Sequence, residues 1–421
     1  MMSKISIRSI KGTQDILPDQ SSKWQVLEEA IRNFMCYYGY REIRTPTFEQ
    51  TDLFVRSMGK ETDIVSKEMY SWTDQGGENL TLKPELTAPV ARAYIQHNLG
   101  GQSPLNKLYY IDTLFRRERP QKGRYRQFNQ FGIEAFGSEY PEIDAEVITL
   151  AISIFNKIGL KELKLKINSI GSPQCRIDYR ETIQDFLKPH IADLSEISQT
   201  RFDNNPLRIL DTKVPHEIEI LKNLPNIADC WTNEDKDHFE EVCSLLDSTG
   251  IKYELTPRLV RGLDYYTKTT FEITSSALGA QDAICGGGRY DGLVESLGGK
   301  PTPGIGFAAG MERILLAMNN VESTSNSKQV YIVGLGNAVR PTVLKLAEDL
   351  RRSSITTEFD VLRRSIKAQL REANKLGAKY AILIGDQELE ARQAELKDLS
   401  TGDQKKIGLN NLVDHIISLP F

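Results

Sequence analysis

Long hydrophobic runs are missing from this chain. No uninterrupted apolar stretch reaches the roughly 18 residues of a membrane-spanning helix. The N-terminal MMSKISIRSIKGTQD also lacks an apolar segment of signal-peptide length. No membrane partner is expected, and the cytoplasm is the expected compartment. Cysteine is sparse as well. The five residues, Cys36, Cys175, Cys230, Cys243 and Cys285, are scattered and odd in number, with no CxxC among them. That spacing argues against a disulfide framework and against a structural zinc site. The five histidines are equally dispersed. Charge of one sign is not in excess either. The net charge is −4, so a globally basic nucleic-acid protein is excluded, and any contact with RNA would come from local patches.

What is present is an ordinary globular composition. The chain has 421 residues, 40% hydrophobic and 26% charged, a length suited to about two or three domains that can each bury a core. A polar stretch rich in Ser, Thr and Asn, NNVESTSNSKQ (319–329), separates two differently patterned regions. After it, 330–336 and 378–386 read as buried strands, and 342–353 and 366–377 as amphipathic helices, the second stopped by Gly377. This predicts a small α/β domain over 328–421 with a mostly parallel sheet. Before the boundary, a helix is predicted at 24–39, followed by a strand running to Pro46. Strands are predicted at 108–117, 126–137, 264–275 and 303–307, with a helix at 308–318. Few βαβ signals occur there, so a mainly antiparallel sheet flanked by helices is expected. Residues 169–257 are polar and helical in pattern, and read as an insertion between core segments 1–168 and 258–322. The fold class is therefore α+β with a C-terminal α/β domain.

Chemistry concentrates in a few strings. Side chains alternate faces along a strand, so Arg126, Phe128, Gln130, Gly132, Glu134 and Phe136 share one face. An aromatic, an amide, a glycine and a carboxylate make a poor core face and a good pocket floor. The preceding strand ends in Arg116, Arg117 and Glu118, and the loop ERPQKGRY (118–125) adds Lys122 and Arg124. So many cations suit a polyphosphate or an RNA end. On residues alone, a charged, solvated hairpin is an equal reading. In PGIGFAAGMERILLAM (303–318), Gly304, Gly306 and Gly310 permit close backbone packing, and Arg313 sits early in the helix. Such spacing by itself is most often plain packing.

With these strings in view, Phe115 to Glu118, the basic loop and the following strand resemble motif 2 of the class II aminoacyl-tRNA synthetases. The 303–318 segment is similar to their motif 3, and helix 24–39 with YREIRTP (40–46) to motif 1, whose helix and proline form a dimer interface. Two further strings, RLVRGLDYYTKTTFEI (258–273) and AICGGGRYDGL (283–293), resemble the histidine-specific motifs of the histidyl-tRNA synthetases. The resemblance spans nearly the whole chain, from IKGTQDILP (10–18) onward. It implies a class II catalytic core, a helical insertion and a C-terminal anticodon-binding domain. It further implies ATP with Mg²⁺, L-histidine and tRNA(His) as partners, and a homodimer.

The resemblance also implies roles. Arg116 and Arg261 would flank the α-phosphate, Arg124 would hold the outer phosphates, and Glu118 would read the adenine amino group. Phe128 and Arg313 would sandwich the base. Glu85, Thr87 and Gln130 would share the substrate's ammonium group, Glu85 and Thr87 coming from LTLKPELTAPVARA (80–93). A neutral imidazole needs one acceptor and one donor, and Glu134 and Tyr266 would supply them beside Tyr265. The chain departs from the family pattern at Lys83, often Arg, at Leu86, often Gly, and at Asn129, often His. None of the three carries an assigned role. A non-catalytic relative, the regulatory subunit of ATP phosphoribosyltransferase, is the alternative, though it usually lacks the histidine motifs and the C-terminal domain. In that domain, Lys367, Arg371 and Lys375 recur every four residues and share one helix face. Ile366, Leu370 and Ala373 are expected to pack on the sheet. The basic face suits RNA phosphates or simply solvent.

Overall fold

The structure, a computed structural model, describes residues 7–60, 62–121, 123–278, 282–318 and 330–420. Lys122 and the boundary segment 319–329 lie outside the described residues. The chain divides into two compact units, Met1–Val321 and Glu322–Phe421.

The first unit is built on an eight-stranded sheet. Its spatial order is Arg41–Glu42, Asn106–Phe115, Gln127–Phe136, Gly304–Gly310, Ala283–Arg289, Thr267–Ser275, Leu163–Ser169 and Glu254–Leu255. The six long strands pair antiparallel. Only the two-residue strands at the edges pair parallel. The alternation of faces decides what lies on each side. Phe131, Ile133, Phe271, Ile273, Ile305 and Phe307 point to one face and pack against Leu27 and Ile31, Val147 and Ile154, and Phe239 and Val242. Those residues belong to helices Pro18–Tyr37, Pro141–Lys157 and Asn233–Ser248. Helix Pro141–Lys157 is well specified locally, with proline in its first turn, Glu142 and Asp144 there too, and Lys157 in its last turn, complementing the helix dipole.

The polar stretch after residue 169 folds into short helices. Ser172, Ser195 and Thr232 each cap one of them by accepting a backbone N–H. The excursion leaves from strand Leu163–Ser169 and returns as Glu254–Leu255, hydrogen-bonded to that same strand. It straddles the sheet edge. Tyr179, Ile183 and Ile209 join the apolar cluster of Tyr110, Tyr266 and Tyr290, whereas Phe239 and Val242 join the opposite face.

Three details differ from expectation. Strand Gly304–Gly310 runs to Gly310, and its helix is only Met311–Ala317. Ala308, Ala309 and Gly310 stay in register with Gly132, Phe131 and Gln130, so pairing overrides the helical propensity of the alanines. A small three-stranded sheet, Phe48–Gln50, Asn79–Leu82 and Tyr70–Thr73, was not anticipated. The C-terminal sheet is mixed rather than mostly parallel. Its order is Thr357–Phe359, Val330–Gly334, Tyr380–Ile384, Gln393–Asp398 and Gln404–Gly408, with two parallel and two antiparallel pairings. The last two strands form a hairpin whose buried residues are only Ala394, Leu396 and Ile407, too sparse a pattern to read as strand.

Helix Ile366–Lys375 carries Lys367, Arg371 and Lys375 on its exposed side. Its core contacts differ from the expected set, because Ile366 is 39% exposed while Gln369 is 1% exposed. The Gln369 amide accepts from the Gly334 N–H at 3.1 Å and donates to the Gly334 and Arg364 carbonyls at 3.0 and 2.7 Å. A polar group whose hydrogen bonds are fully met can occupy a core position. Leu370 and Ala373 do face inward.

Candidate active site

A cavity of about 400 Å³ opens on the sheet face turned away from the long helices. Of the twelve core residues singled out from sequence, all but Glu134 line it. They come from four separate segments. Arg116, Glu118, Arg124, Phe128 and Gln130 come from the hairpin, and Arg313 from the helix after Gly310. Glu85 and Thr87 lie at the start of helix Thr87–Gln96, and Arg261, Tyr265 and Tyr266 in the loop before strand Thr267–Ser275.

The hairpin wall is held by its own cations. The Arg116 Nε donates to the Pro84 carbonyl at 2.8 Å, and its guanidinium lies 5.3 Å from the Phe128 ring centroid. The Glu118 carboxylate stands 3.8 Å from Arg116 and 3.5 Å from Arg124. Arg313 is two-thirds of a turn into its helix, where burial and the neighbouring Arg124 push its guanidinium down. Across the cavity, the Arg261 guanidinium donates to Glu272 at 2.8 Å and lies against strand Ala283–Arg289. A Cβ on Gly286 would collide with its Nη2, and one on Gly306 would collide with the Glu134 carboxylate. Both glycines are therefore needed for close approach.

Glu134 lies just behind the wall, 1% exposed. It accepts from Thr87 Oγ1 at 2.8 Å, from the Tyr110 hydroxyl at 3.1 Å, and from the Tyr290 hydroxyl. Burial pushes its carboxyl up to about 8, against the pull of the Tyr290 and Thr87 hydrogen bonds. Tyr110 and Tyr290 line the cavity but were not singled out from sequence. Tyr290 stands two residues after the last glycine of the run, and Tyr110 shares a strand face with residues toward Arg116, so the signal was available in both cases. Tyr265 stacks near both Tyr266 and Tyr290, with centroids 4.8 and 5.6 Å apart.

Glu85 has a second task. Its carboxylate accepts the N–H groups of Thr87 and Ala88 at 2.8 and 2.9 Å, which satisfies the first turn of helix Thr87–Gln96. Burial raises its carboxyl, and these two N–H groups oppose the shift. The departures from the family pattern are accommodated. Lys83, 1% exposed, pairs with Asp112 at 2.5 Å and donates to the Thr45 carbonyl at 3.3 Å. Leu86 is buried in the apolar cluster. Asn129 donates through its N–H and its amide to Glu312 at 2.9 and 3.0 Å, away from Gln130. Among the described residues no helix is long and apolar enough to cross a membrane.

Known proteins resemble this chain over nearly its whole length. The family model described as histidyl-tRNA synthetase matches residues 12–314, and that of an anticodon binding domain matches residues 329–419. A curated histidine–tRNA ligase of Halothermothrix orenii is 47% identical over 418 residues, covering 99% of this chain and 100% of that one. Another, from Desulforamulus reducens, is 48% identical over 96% of this chain and 97% of its own. The crystal structure of the apo histidyl-tRNA synthetase of S. aureus superposes with a TM-score of 0.84 at 40% identity, covering 98% of this chain and 100% of that chain.

Proposed function

The chain belongs to the histidyl-tRNA synthetase family, and from that membership we propose how its cavity carries out the reaction. The chain is a histidine–tRNA ligase, which activates histidine with ATP and transfers it to the 3′ end of tRNA. The regulatory-subunit alternative is not favoured, because ligases near 47% identity match the full length. The observation that carries the site assignment is that Arg116 and Arg261 line one cavity with the acceptors Glu85, Thr87 and Gln130. A bound histidine's ammonium would rest on those acceptors, and its carboxylate would face the α-phosphate between the two guanidinium groups. Attack at phosphorus releases pyrophosphate. The tRNA 3′-hydroxyl then attacks the adenylate carbonyl and releases AMP. Neither step needs a protein nucleophile. Positioning and charge stabilisation supply the rate. Phe128 and Arg313 would enclose the adenine, Glu118 would read its amino group, and Arg124 would hold the outer phosphates.

ATP enters as its magnesium complex. Among the described residues no three or more His, Cys, Asp or Glu form a cage, but a hydrated Mg²⁺ brought with a nucleotide would need only one or two carboxylates from the protein. Glu68 on the cavity wall fits that need. Burial and then the neighbouring Glu118 push the Glu68 carboxyl up, a penalty that a cation offsets. Bound there, the ion would carry part of the phosphate charge.

Residues 1–168 and 258–322 would form the catalytic core, 169–257 the insertion, and 328–421 the unit that holds the anticodon of tRNA(His). A homodimer is supported by the apolar side chains left uncovered around the motif 1 segment: Tyr37 is 76% exposed, and Phe48 and Trp72, which stack edge to face, are 50% and 41% exposed. The cytoplasm is the corresponding compartment.

The imidazole assignment has a direct test. Glu134→Gln keeps the shape and replaces the carboxyl acceptor, largely neutral at pH 7 because burial raises it to about 8, with an amide. The histidine KM in ATP–pyrophosphate exchange then rises roughly twofold to tenfold, the usual worth of a hydrogen bond between neutral groups, while the ATP KM stays put. Histidinol, which keeps the imidazole and lacks the carboxylate, weakens in parallel as an inhibitor. An unchanged histidinol inhibition constant removes Glu134 from the imidazole site.

In the C-terminal unit, 15 Lys and Arg stand against 12 Asp and Glu over residues 328–421. Phosphate contacts give salt-dependent affinity. Reversing Lys367, Arg371 and Lys375 to Glu should therefore raise the tRNA KM roughly tenfold or more and flatten its salt dependence. Pyrophosphate exchange stays intact. Equal losses of exchange and charging would assign the helix to folding instead.

A further inference from the structure

Between strand Glu254–Leu255 and strand Thr267–Ser275, the chain that carries Arg261, Tyr265 and Tyr266 has no regular secondary structure. Its backbone carbonyls must nevertheless be satisfied where they are covered. The partners come from the helical insertion. The Arg176 guanidinium donates to the carbonyls of Asp264 and Tyr266 at 3.1 and 2.8 Å. Asn205 donates to the Asp264 carboxylate at 2.8 Å. Arg208 donates to the Arg261 carbonyl at 3.3 Å.

Arg208 does more than satisfy one carbonyl. It lies in the short helix Pro206–Asp211, its side chain is 13% exposed, and it lines the cavity. Its Nη2 stands 3.8 Å from the carboxylate of Asp63, another cavity residue, on the segment leading to Glu68. Arg201, also of the insertion, approaches the same carboxylate at 3.6 Å and donates to the Arg208 carbonyl at 3.1 Å. Gly262 keeps the way clear, since a Cβ there would press on Arg208 Nη1. One guanidinium therefore ties the loop of Arg261 to the segment of Asp63.

We propose that the helical insertion is a splint for amino-acid activation, with Arg208 as the positioning residue that holds the Arg261 loop in register with the Asp63 segment. It acts through Arg261 and touches neither reacting atom. The proposal rests on the reading of Arg261 as a phosphate-facing cation. Its consequence is that histidyl-adenylate formation, which needs no RNA, depends on the insertion.

The test is ATP–pyrophosphate exchange with the full chain. Arg208→Ala should lower kcat about tenfold, the order of loss expected when a reacting geometry is loosened by a fraction of an ångström. The KM for ATP should stay within twofold. Arg208→Lys, which restores one donor and the charge, should recover most of the kcat, which a general packing defect would not allow. A kcat for Arg208→Ala within twofold of the unmodified protein overturns the proposal, and so does a loss that lysine fails to recover. If Arg208→Ala does not fold, Asn205→Ala decides in its place. There a fall in kcat of threefold or more supports the splint, and an unchanged kcat sinks it. Arg261→Ala, run alongside, separates the two ideas. If that variant is impaired while the Arg208 and Asn205 variants are not, the splint fails and the site reading survives. If Arg261→Ala is itself unimpaired, the site reading fails first.

Discussion

Arg261→Ala lowers the single-turnover rate of histidyl-adenylate formation by roughly 10²–10³-fold, the usual cost of deleting one preorganised group that stabilises charge in the transition state. The size follows from how the group is held. Its guanidinium is fixed by Glu272 at 2.8 Å and lies over a glycine strand that leaves no room to shift. Little reorganisation is needed when negative charge builds at phosphorus. Histidine binding weakens less, because Glu85, Thr87 and Gln130 remain on the wall. Rapid quench of the first turnover, with folding checked by circular dichroism, reads the effect. A rate within about threefold of the unmodified protein would mean that Arg261 serves only to hold Glu272.

The second large effect is on stability. Asp144 and Arg289 are both fully buried and paired. Arg289 also donates to the Ser138 carbonyl at 2.9 Å, the Tyr140 carbonyl at 3.2 Å and the Asp291 carboxylate at 3.1 Å, while Asp144 accepts from Thr269 at 2.6 Å. Asp144→Ala leaves the buried guanidinium with only the partly exposed Asp291 as a charged partner. Breaking a buried pair from one side costs roughly 3–5 kcal/mol, and a drop of that size in the free energy from urea unfolding is expected. Adding Arg289→Met to Asp144→Ala should return part of the loss, because an apolar pair of similar volume carries no desolvation cost. A double variant no more stable than Asp144→Ala alone would show that the carbonyl contacts of Arg289, and not its charge, hold the segment.

Much of the site was legible because its residues are unusual in their surroundings. Phe128, Gln130 and Glu134 alternate on a strand where a core face would be apolar, and the cations of the hairpin are adjacent in sequence. The exact place of Glu134 was not legible. Its distance behind the wall depends on Tyr110, on a neighbouring strand, and Tyr290, just past the end of another, whose hydroxyls both reach it. A local string shows neither. Gln369 escaped notice for a related reason, since periodicity marks apolar positions and its burial rests on hydrogen bonds to Gly334 and Arg364. The C-terminal hairpin was hidden by polarity, since among its strand residues only Ala394, Leu396 and Ile407 are buried and the consecutive Lys405 and Lys406 are both exposed. The bonds from Arg176, Asn205 and Arg208 span 53 to 90 residues of chain, beyond any pattern read along one segment.

The middle of the large sheet has an order of arrival. Strand Gly304–Gly310 lies between Gln127–Phe136 and Ala283–Arg289, yet it is the last of the eight in sequence. On a ribosome, the hairpin of residues 106–136 emerges with one long hydrogen-bonding edge bare, and its proper neighbour is synthesised some 170 residues later. At about 5–20 residues per second that is a wait on the order of ten to thirty seconds. A bare edge is a template for other strands, and contacts this distant in sequence form slowly. The nascent chain therefore passes through a window in which shielding by other cellular proteins matters more than the stability of the finished fold.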